Sequence, residues 1–438
     1  MLVTDDADLN SAGTPETGVS RRKLLGAAGL AALVAGGAGA TAGYAAGDHT
    51  TPVEPDPHAL PVPFEGAHQA GIVTPAQDRL YFVALDVTTD ERAELIGLLK
   101  DWTAAARKMT QGNDVGELGA VGGSPFAPPE DTGEAQGLPP SNLTITVGFG
   151  RSLFVDASGK ARFGLDGRLP ERLIDLPAFS GDRLRPEISG GDLAIQACAN
   201  DPQVAVHAVR NLVRIAFGRA SVRYSQMGFG RTSSTSTAQV TARNLFGFKD
   251  GTANIKVEDA KSVEEFVWVH ADEGPEWLVG GSYLVARKID MRIETWDRES
   301  LEGQERIIGR AKGSGGPLSG GDEFETIDFR AKGPDGQPAI DQKSHVRLAH
   351  PDFNEGAQIL RRGYNFVDGS NGLGQLSAGL FFIAYQRDPE QQFVRIQKSL
   401  AGSTNDLMNE YIVHVGSGLW ACPPGVEADG YWGDTLFG

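Results

Sequence analysis

The sequence predicts an α+β protein made of two related halves, each an antiparallel sheet with helices on one face. Three observations lead there. Short apolar runs rich in β-branched and aromatic residues recur at residues 79–87 (RLYFVALDV), 143–150, 193–199 and 221–229, and again at 282–289, 359–366 and 380–385. Segments with apolar residues at helical spacing lie between several of them. Finally, Leu193-Ala-Ile-Gln-Ala-Cys-Ala-Asn-Asp201-Pro202 parallels Leu380-Phe-Phe-Ile-Ala-Tyr-Gln-Arg-Asp388-Pro389, each an apolar strand that runs into Asp-Pro and an amphipathic helix. Identity between the two segments is thin and chance is the alternative; the shared order of elements favours a repeated plan.

Each element has a local reason. The strand at 79–87 ends at Thr88-Thr89-Asp90, residues suited to cap a helix running to about Met109, with Leu95, Leu98 and Leu99 on one face. Residues 116–140 are dense in Gly and Pro and read as a loop. Asp201-Pro202 opens a helix to Phe217, because proline at the first helical position gives up an N–H that has no partner there. In the second half, helices are expected at 298–310, with Glu and Arg outward, and from Pro389 to about Leu400.

Ahead of these, Ser20-Arg21-Arg22-Lys23-Leu24-Leu25 precedes a run rich in Ala, Gly and Leu to about Ala46. This reads as a twin-arginine export signal, with Leu24 where such signals often carry Phe. The rival is a membrane anchor, which the abundance of Gly and Ala argues against. A periplasmic, cell-envelope or secreted destination follows, with no stable membrane anchor once the signal is removed. The route carries folded proteins, often with a cofactor already inserted. Residues 47–63 are rich in Pro and acid and read as a linker, in which His49 and His58 are solvated. The expected organisation is signal 1–46, linker 47–63, N-terminal half 64–240 and C-terminal half 241–438.

A length of 438 residues exceeds one ordinary core. The net charge of -17 argues against nucleic acid and anionic lipid as partners. With 2 cysteines, neither a structural zinc cluster nor an iron–sulfur site can be built. Cys198 reads as a buried small hydrophobe, and nothing supports a disulfide to Cys422. Residues 309–321 are glycine-rich but lack the Gly-Lys-Ser/Thr ending of a P-loop and a complete GxGxxG. Serine-hydrolase and His-Glu-x-x-His zinc-protease motifs are likewise missing from the sequence.

What remains is concentrated in residues 345–362, HVRLAHPDFNEGAQILRR. This stretch opens on a histidine able to bind a metal, turns at His350-Pro351 and ends on Arg361-Arg362, cations able to stabilise an anion. A second stretch, residues 244–254 (NLFGFKDGTAN), carries the acid Asp250 beside Gly251. A hydrogen-bonded structural histidine and a turn aspartate before glycine are the plain alternatives.

At Gly247-Phe-Lys-Asp250-Gly251 the chain resembles the dye-decolorising (DyP-type) peroxidases, which carry a GxxDG signature. The resemblance extends in order through Phe64-Glu-Gly-Ala-His-Gln-Ala-Gly-Ile-Val-Thr-Pro75, Gly190-Gly-Asp-Leu193 and Gly280-Gly-Ser-Tyr-Leu-Val-Ala-Arg-Lys288. It continues through His345-Val-Arg-Leu-Ala-His-Pro351, Arg361-Arg-Gly-Tyr364, Tyr385-Gln386 and His414-Val-Gly-Ser-Gly-Leu-Trp420, and so covers nearly all of the chain from Phe64 onward. With the export signal, it is most similar to the exported branch that includes the deferrochelatase/peroxidases of iron-uptake systems.

The resemblance implies two ferredoxin-like halves arranged like a dimeric α/β barrel, with one haem b per chain in the C-terminal half. It implies His345 as the metal ligand, and Gly251, Thr252, Ala253, His350, Pro351, Asp352 and Arg361 against the haem. Asp250 and Arg361 are the implied catalytic pair, the first moving a proton and the second stabilising negative charge. Arg362 is expected to pair with an acid or a haem propionate. Glu390, with Asp388 as rival, matches the carboxylate that accepts from the proximal histidine, and helix capping is the alternative for both. The implied reactants are hydrogen peroxide and a reducing substrate such as a dye, a phenolic or a metal ion. Iron-uptake components and a homo-oligomer are compatible with the same resemblance. Two other functions compete: a haem-handling deferrochelatase that releases iron, and a haem-free solute-binding protein. Bulky donors would need aromatic relays, for which Tyr364, Tyr385, Trp268, Trp277, Trp296 and Trp420 are candidates, plain core packing being the alternative.

Overall fold

In the computed structural model, residues 56–57, 59–401 and 406–438 are described. The export signal and most of the linker, with His49 and His58, lie outside them.

Strand β1 (Arg79–Val87) shows how the chain builds two cores from one sequence period. Alternate residues of a strand face opposite ways. Here Leu80, Phe82 and Ala84 enter one apolar cluster, while Val83, Leu85 and Val87 enter another. The same split recurs in β5 (Ser282–Met291), where Leu284 and Ala286 join the first cluster and Tyr283 and Val285 the second. Both faces of these strands are therefore buried, one inside a barrel and one beneath helices.

The remaining strands are β2 (Thr144–Gly150), β3 (Leu193–Ala199), β4 (Ala220–Arg231), β6 (Leu360–Arg361), β7 (Tyr364–Ser370), β8 (Leu376–Gln386) and β9 (Ile412–Cys422). They run in the order β5-β9-β2-β3-β1-β4-β7-β8, and a pairing of β5 with β8 closes the ring. All these ladders are antiparallel. Because β5 occupies one edge of β8, β6 and β7 share the other, Leu360 facing Tyr385 and Tyr364 facing Phe381.

The helices that matter are α1 (Arg92–Met109), α2 (Pro202–Ile215), α3 (Leu301–Ile308), α4 (His345–Leu348) and α5 (Arg395–Ala401). The order β-α-β-β-α-β occurs twice, as β1-α1-β2-β3-α2-β4 and as β5-α3-β7-β8-α5-β9. Each set has the strand arrangement of a ferredoxin-like unit. The division expected between residues 240 and 241 falls in the connection after β4. The halves meet at two short seams, β2–β9 (Phe149↔Ala421, Gly150↔Trp420) and β4–β7 (Phe229↔Asn365, Arg231↔Tyr364).

In the N-terminal half the outer face is filled. Leu95, Leu98, Leu99 and Trp102 of α1 and Val204, Ala208, Val209 and Leu212 of α2 pack onto it. Trp102 is fully buried and its indole N–H donates to the carbonyl of Leu212 at 2.8 Å. Cutting it to alanine would cost about 3–5 kcal/mol. In the C-terminal half the equivalent face is left partly open, and that gap is the site.

Several local expectations change. Helix α1 begins at Arg92 after Glu91, not on a Thr88-Thr89-Asp90 cap, and Thr89 Oγ1 accepts from the Glu91 N–H instead. Helix α3 starts at Leu301 because Ser300 accepts from the Gly303 N–H, which shortens the expected 298–310 segment. The strand expected at 359–366 breaks at Arg362-Gly363, and the helix after Pro389 opens with a π turn (Glu390–Val394). Cys198 and Cys422 are both buried free thiols. Among the described residues no helix is long and apolar enough to cross a membrane.

Candidate active site

The outer face of β5, β8 and β9 in the C-terminal half presents Ile289, Leu380, Phe382 and Ile412 to a cavity of about 500 Å³. Their strand neighbours Phe381 and Ile383 point the other way, into the barrel. Ile396 and Leu400 of α5 form the opposite wall with α4, which carries His345. Phe246 and Phe248 close one end, and their backs pack on Trp296.

His345 opens α4 and lines this cavity. Its Nδ1 lies 2.6 Å from Asp406 Oδ2, and Asp406 is 1% exposed. A carboxylate only accepts, so Nδ1 carries a proton, and in the neutral ring Nε2 keeps a free lone pair. Burial works against the charged imidazole, but the neighbouring Asp406 outweighs it and holds the His345 pKa above the usual histidine value.

Asp250 sits in the turn that the GFKDG run forms. Gly251 has φ +85°, and a Cβ there would come within 2.8 Å of the Ser233 Cα, so only glycine fits. Arg361, at the end of β6, donates through Nη1 to Asp250 Oδ1 at 2.7 Å, and Asn244 Nδ2 approaches Asp250 Oδ2 at 3.3 Å. On the flanks of Asp250, Lys249 and Thr252 both reach the carboxylate of Glu323, which also lines the cavity.

Asp250, Gly251, Thr252, Ala253, His345, His350, Pro351 and Arg361 thus share one cavity, though they span residues 250 to 361. Asp352 is not among its lining residues: its side chain is 71% exposed and its backbone N–H donates to His350 Nδ1. Burial, aided by the charge of Arg310 and opposed by Asp352, lowers the His350 pKa.

Two further expectations are corrected. The carboxylate on His345 is Asp406, not Glu390 or Asp388. Asp388 is taken up by Arg172 and by the backbone N–H groups of Glu390 and Gln391, and Glu390 is exposed. Arg362 meets neither an acid nor the cavity. It is fully buried on the barrel side, donating to the Thr74 carbonyl and to Gln77 Oε1. The aromatics Tyr364, Tyr385, Trp268, Trp277, Trp296 and Trp420 are all 4% exposed or less and belong to the cores, as the core-packing alternative has it. Asp406 and Glu323 carry no signature in the sequence, each being an ordinary acid outside the matched motifs.

The cavity suits a porphyrin better than a bare ion. It offers one free imidazole nitrogen on a wide apolar slot, with glycine backbone on one wall. Among the described residues, the His/Cys/Asp/Glu group able to converge on an ion is Asp131, Glu134 and His207, none of which lines this cavity.

A ferredoxin-like ring with an apolar slot, a histidine whose Nδ1 is tied to a carboxylate and an Asp–Arg pair on the same cavity is the arrangement expected of a haem-dependent peroxidase. Comparison with known proteins makes the assignment specific. The family described as Dyp-type peroxidase, C-terminal, matches residues 241–427, and Dyp-type peroxidase, N-terminal, matches residues 69–230. The chain belongs to the DyP-type peroxidase family. It is 38% identical over 425 residues to a protein named deferrochelatase from Escherichia coli, with 95% of this chain and 96% of that protein covered. Ferric DtpA from Streptomyces lividans superposes with a TM-score of 0.78 at 36% identity, covering 87% of this chain and 98% of that one. A DyP-type peroxidase from Cellulomonas bogoriensis gives 0.76 at 38% identity, with 87% and 99% covered. A Rhodococcus jostii DypB variant solved with heme shares the fold at 23% identity and a TM-score of 0.55. The chain is accordingly an enzyme that uses a haem cofactor, hydrogen peroxide and a reducing substrate.

Proposed function

We propose that this protein is an exported peroxidase carrying one haem b per chain, reducing hydrogen peroxide at the Asp250–Arg361 pair and oxidising dyes, phenolics or similar donors. The observation that supports it is that pair, 2.7 Å apart on the cavity that His345 also lines. Export is inferred from the Ser20-Arg21-Arg22-Lys23-Leu24-Leu25 run and the apolar stretch after it.

His345 would hold the haem through Nε2, Nδ1 being committed to Asp406. Haem supplies the redox-active iron through which peroxide is reduced and a donor oxidised. Gly251, Thr252, Ala253, His350, Pro351 and Arg361 would flank the ring. Asp250 Oδ1 is held by Arg361 at 2.7 Å and Oδ2 only by the longer 3.3 Å bond from Asn244, so Oδ2 is the atom that takes a proton from one peroxide oxygen and returns it to the oxygen leaving as water. Arg361 offers a fixed positive charge to that departing oxygen. The apolar wall of Ile289, Leu380 and Phe382 excludes bulk water, which strengthens both interactions.

Asp250→Asn keeps the shape and removes the base. It is expected to lower the second-order rate constant with peroxide by about 10²–10⁴-fold while the Soret band shows a full complement of haem. An unchanged rate overturns the assignment. A second reading, release of iron from haem for delivery to iron-uptake components, is favoured by the name of the 38% identical relatives. It gains if Asp250→Asn abolishes peroxide turnover yet leaves iron release intact.

A further inference from the structure

Asp250 and Arg361 lie 111 positions apart in sequence, so something must fix their spacing. The backbone of Arg361 is held on one side by β8, through its pairing with Ala384. On its other side the side-chain amide of Asn254 takes the place of a neighbouring strand. Asn254 Oδ1 accepts from the Arg361 N–H at 2.8 Å, and Asn254 Nδ2 donates to the Arg361 carbonyl at 2.9 Å. The same Nδ2 reaches the Ser234 carbonyl at 3.2 Å, and Asn254 is 6% exposed.

The other end of this residue is tied to the acid. The Asn254 backbone N–H donates to the Gly251 carbonyl at 3.1 Å, closing the turn that carries Asp250. Lys256 Nζ reaches the same carbonyl at 3.3 Å. One residue therefore belongs by its backbone to the Asp250 turn and by its side chain to the Arg361 strand. A planar amide supplies one acceptor and one donor at the spacing of a peptide group. Alanine supplies neither, and aspartate places a second acceptor against the Arg361 carbonyl.

We propose that Asn254 is a positioning residue that sets the distance between Asp250 and Arg361, and through it the anion affinity and peroxide reactivity of the cavity. This rests on the reading of Asp250 and Arg361 as the peroxide-handling pair. Asn254 touches neither peroxide nor cofactor in this scheme; it acts through the Arg361 backbone. A displacement of about 1 Å at a reacting group can cost roughly a hundredfold in rate.

The test uses the haem-loaded full chain as Asn254→Ala, Asn254→Asp and, in parallel, Arg361→Leu. Haem content, the dissociation constant of fluoride for the ferric protein and the second-order rate constant with peroxide are measured below the melting temperature of each. Fluoride reports on Arg361 because a fixed cation holds an anion. The expected result for both Asn254 variants is normal haem content, with fluoride affinity and peroxide rate each reduced between about 10- and 100-fold. Wild-type values of both constants in an Asn254 variant, even one with a lower melting temperature, overturn the proposal while Arg361→Leu remains impaired. If Arg361→Leu is also unimpaired, the reading of the pair itself fails. Should the alanine variant not fold, the near-isosteric aspartate carries the test.

Discussion

Asp406→Asn removes the charge behind His345, together with the acceptor on its Nδ1, with little change of shape. The asparagine oxygen can still accept from the Met408 N–H, as Asp406 Oδ1 does at 2.9 Å, so the local turn is retained. What disappears is a negative charge 2.6 Å from His345 Nδ1, at a side chain 1% exposed where water screens little. Such partners are worth about 10- to 100-fold in metal affinity or activity. If that difference falls on the ferric form, it amounts to about 1.4–2.7 kcal/mol, or roughly 60–120 mV for a one-electron couple. Because the single asparagine oxygen stays on the Met408 N–H, the hydrogen bond from His345 Nδ1 is lost with the charge, and the upper end is expected, a rise of about 120 mV in the ferric/ferrous potential. Spectroelectrochemical titration of the Soret band measures it, with Glu390→Gln and Asp388→Asn as controls expected not to move. A shift smaller than about 20 mV, or a fall, would refute the claim that Asp406 is the electrostatic partner of the ligand.

Two further outcomes follow. Gly251→Ala places a Cβ at 2.8 Å from the Ser233 Cα at φ +85°, so a loss of about 1–3 kcal/mol in urea unfolding and a weakened peroxide reaction are expected. An unchanged midpoint with full activity counts against the turn geometry. Burial, with the charge of Arg287 adding to it, pushes His414 down from 6.5 to about 3. The unfolded chain then binds a proton that the folded chain refuses, so stability is complete above pH 6.5 and declines as pH falls toward 3. In the haem-free protein that slope approaches about 1.4 kcal/mol per pH unit, and His414→Leu should flatten it; equal slopes in wild type and variant exclude His414 as the source.

Much of the fold is written locally. The apolar runs of β1 and β3 fix their boundaries, and the two Asp-Pro junctions mark where α2 and the segment leading into α5 begin. What could not be read is the long-range part. The seams β2–β9 and β4–β7 depend on which edges meet, and no local pattern encodes that. Strand β9 was concealed because Gly416 and Gly418 interrupt its apolar period. Within the site, Asp250, His345 and Arg361 are legible because the GFKDG, HVRLAHP and Arg361-Arg-Gly-Tyr364 runs carry the family resemblance. Asp406 carries no such signature: its importance lies entirely in ending 2.6 Å from an imidazole 61 positions away. Asn254 is similar, an amide whose partner is a distant backbone rather than a side chain.

Arg361 and Arg362 are consecutive, yet one guanidinium stands over the cavity and the other is sealed among the carbonyls of the barrel interior. They act as a rivet through the wall. Deleting one residue just before them would carry Arg362 into the cavity-facing position and push Arg361 into the barrel-facing position of Leu360. The length of this short segment is therefore constrained as tightly as its composition.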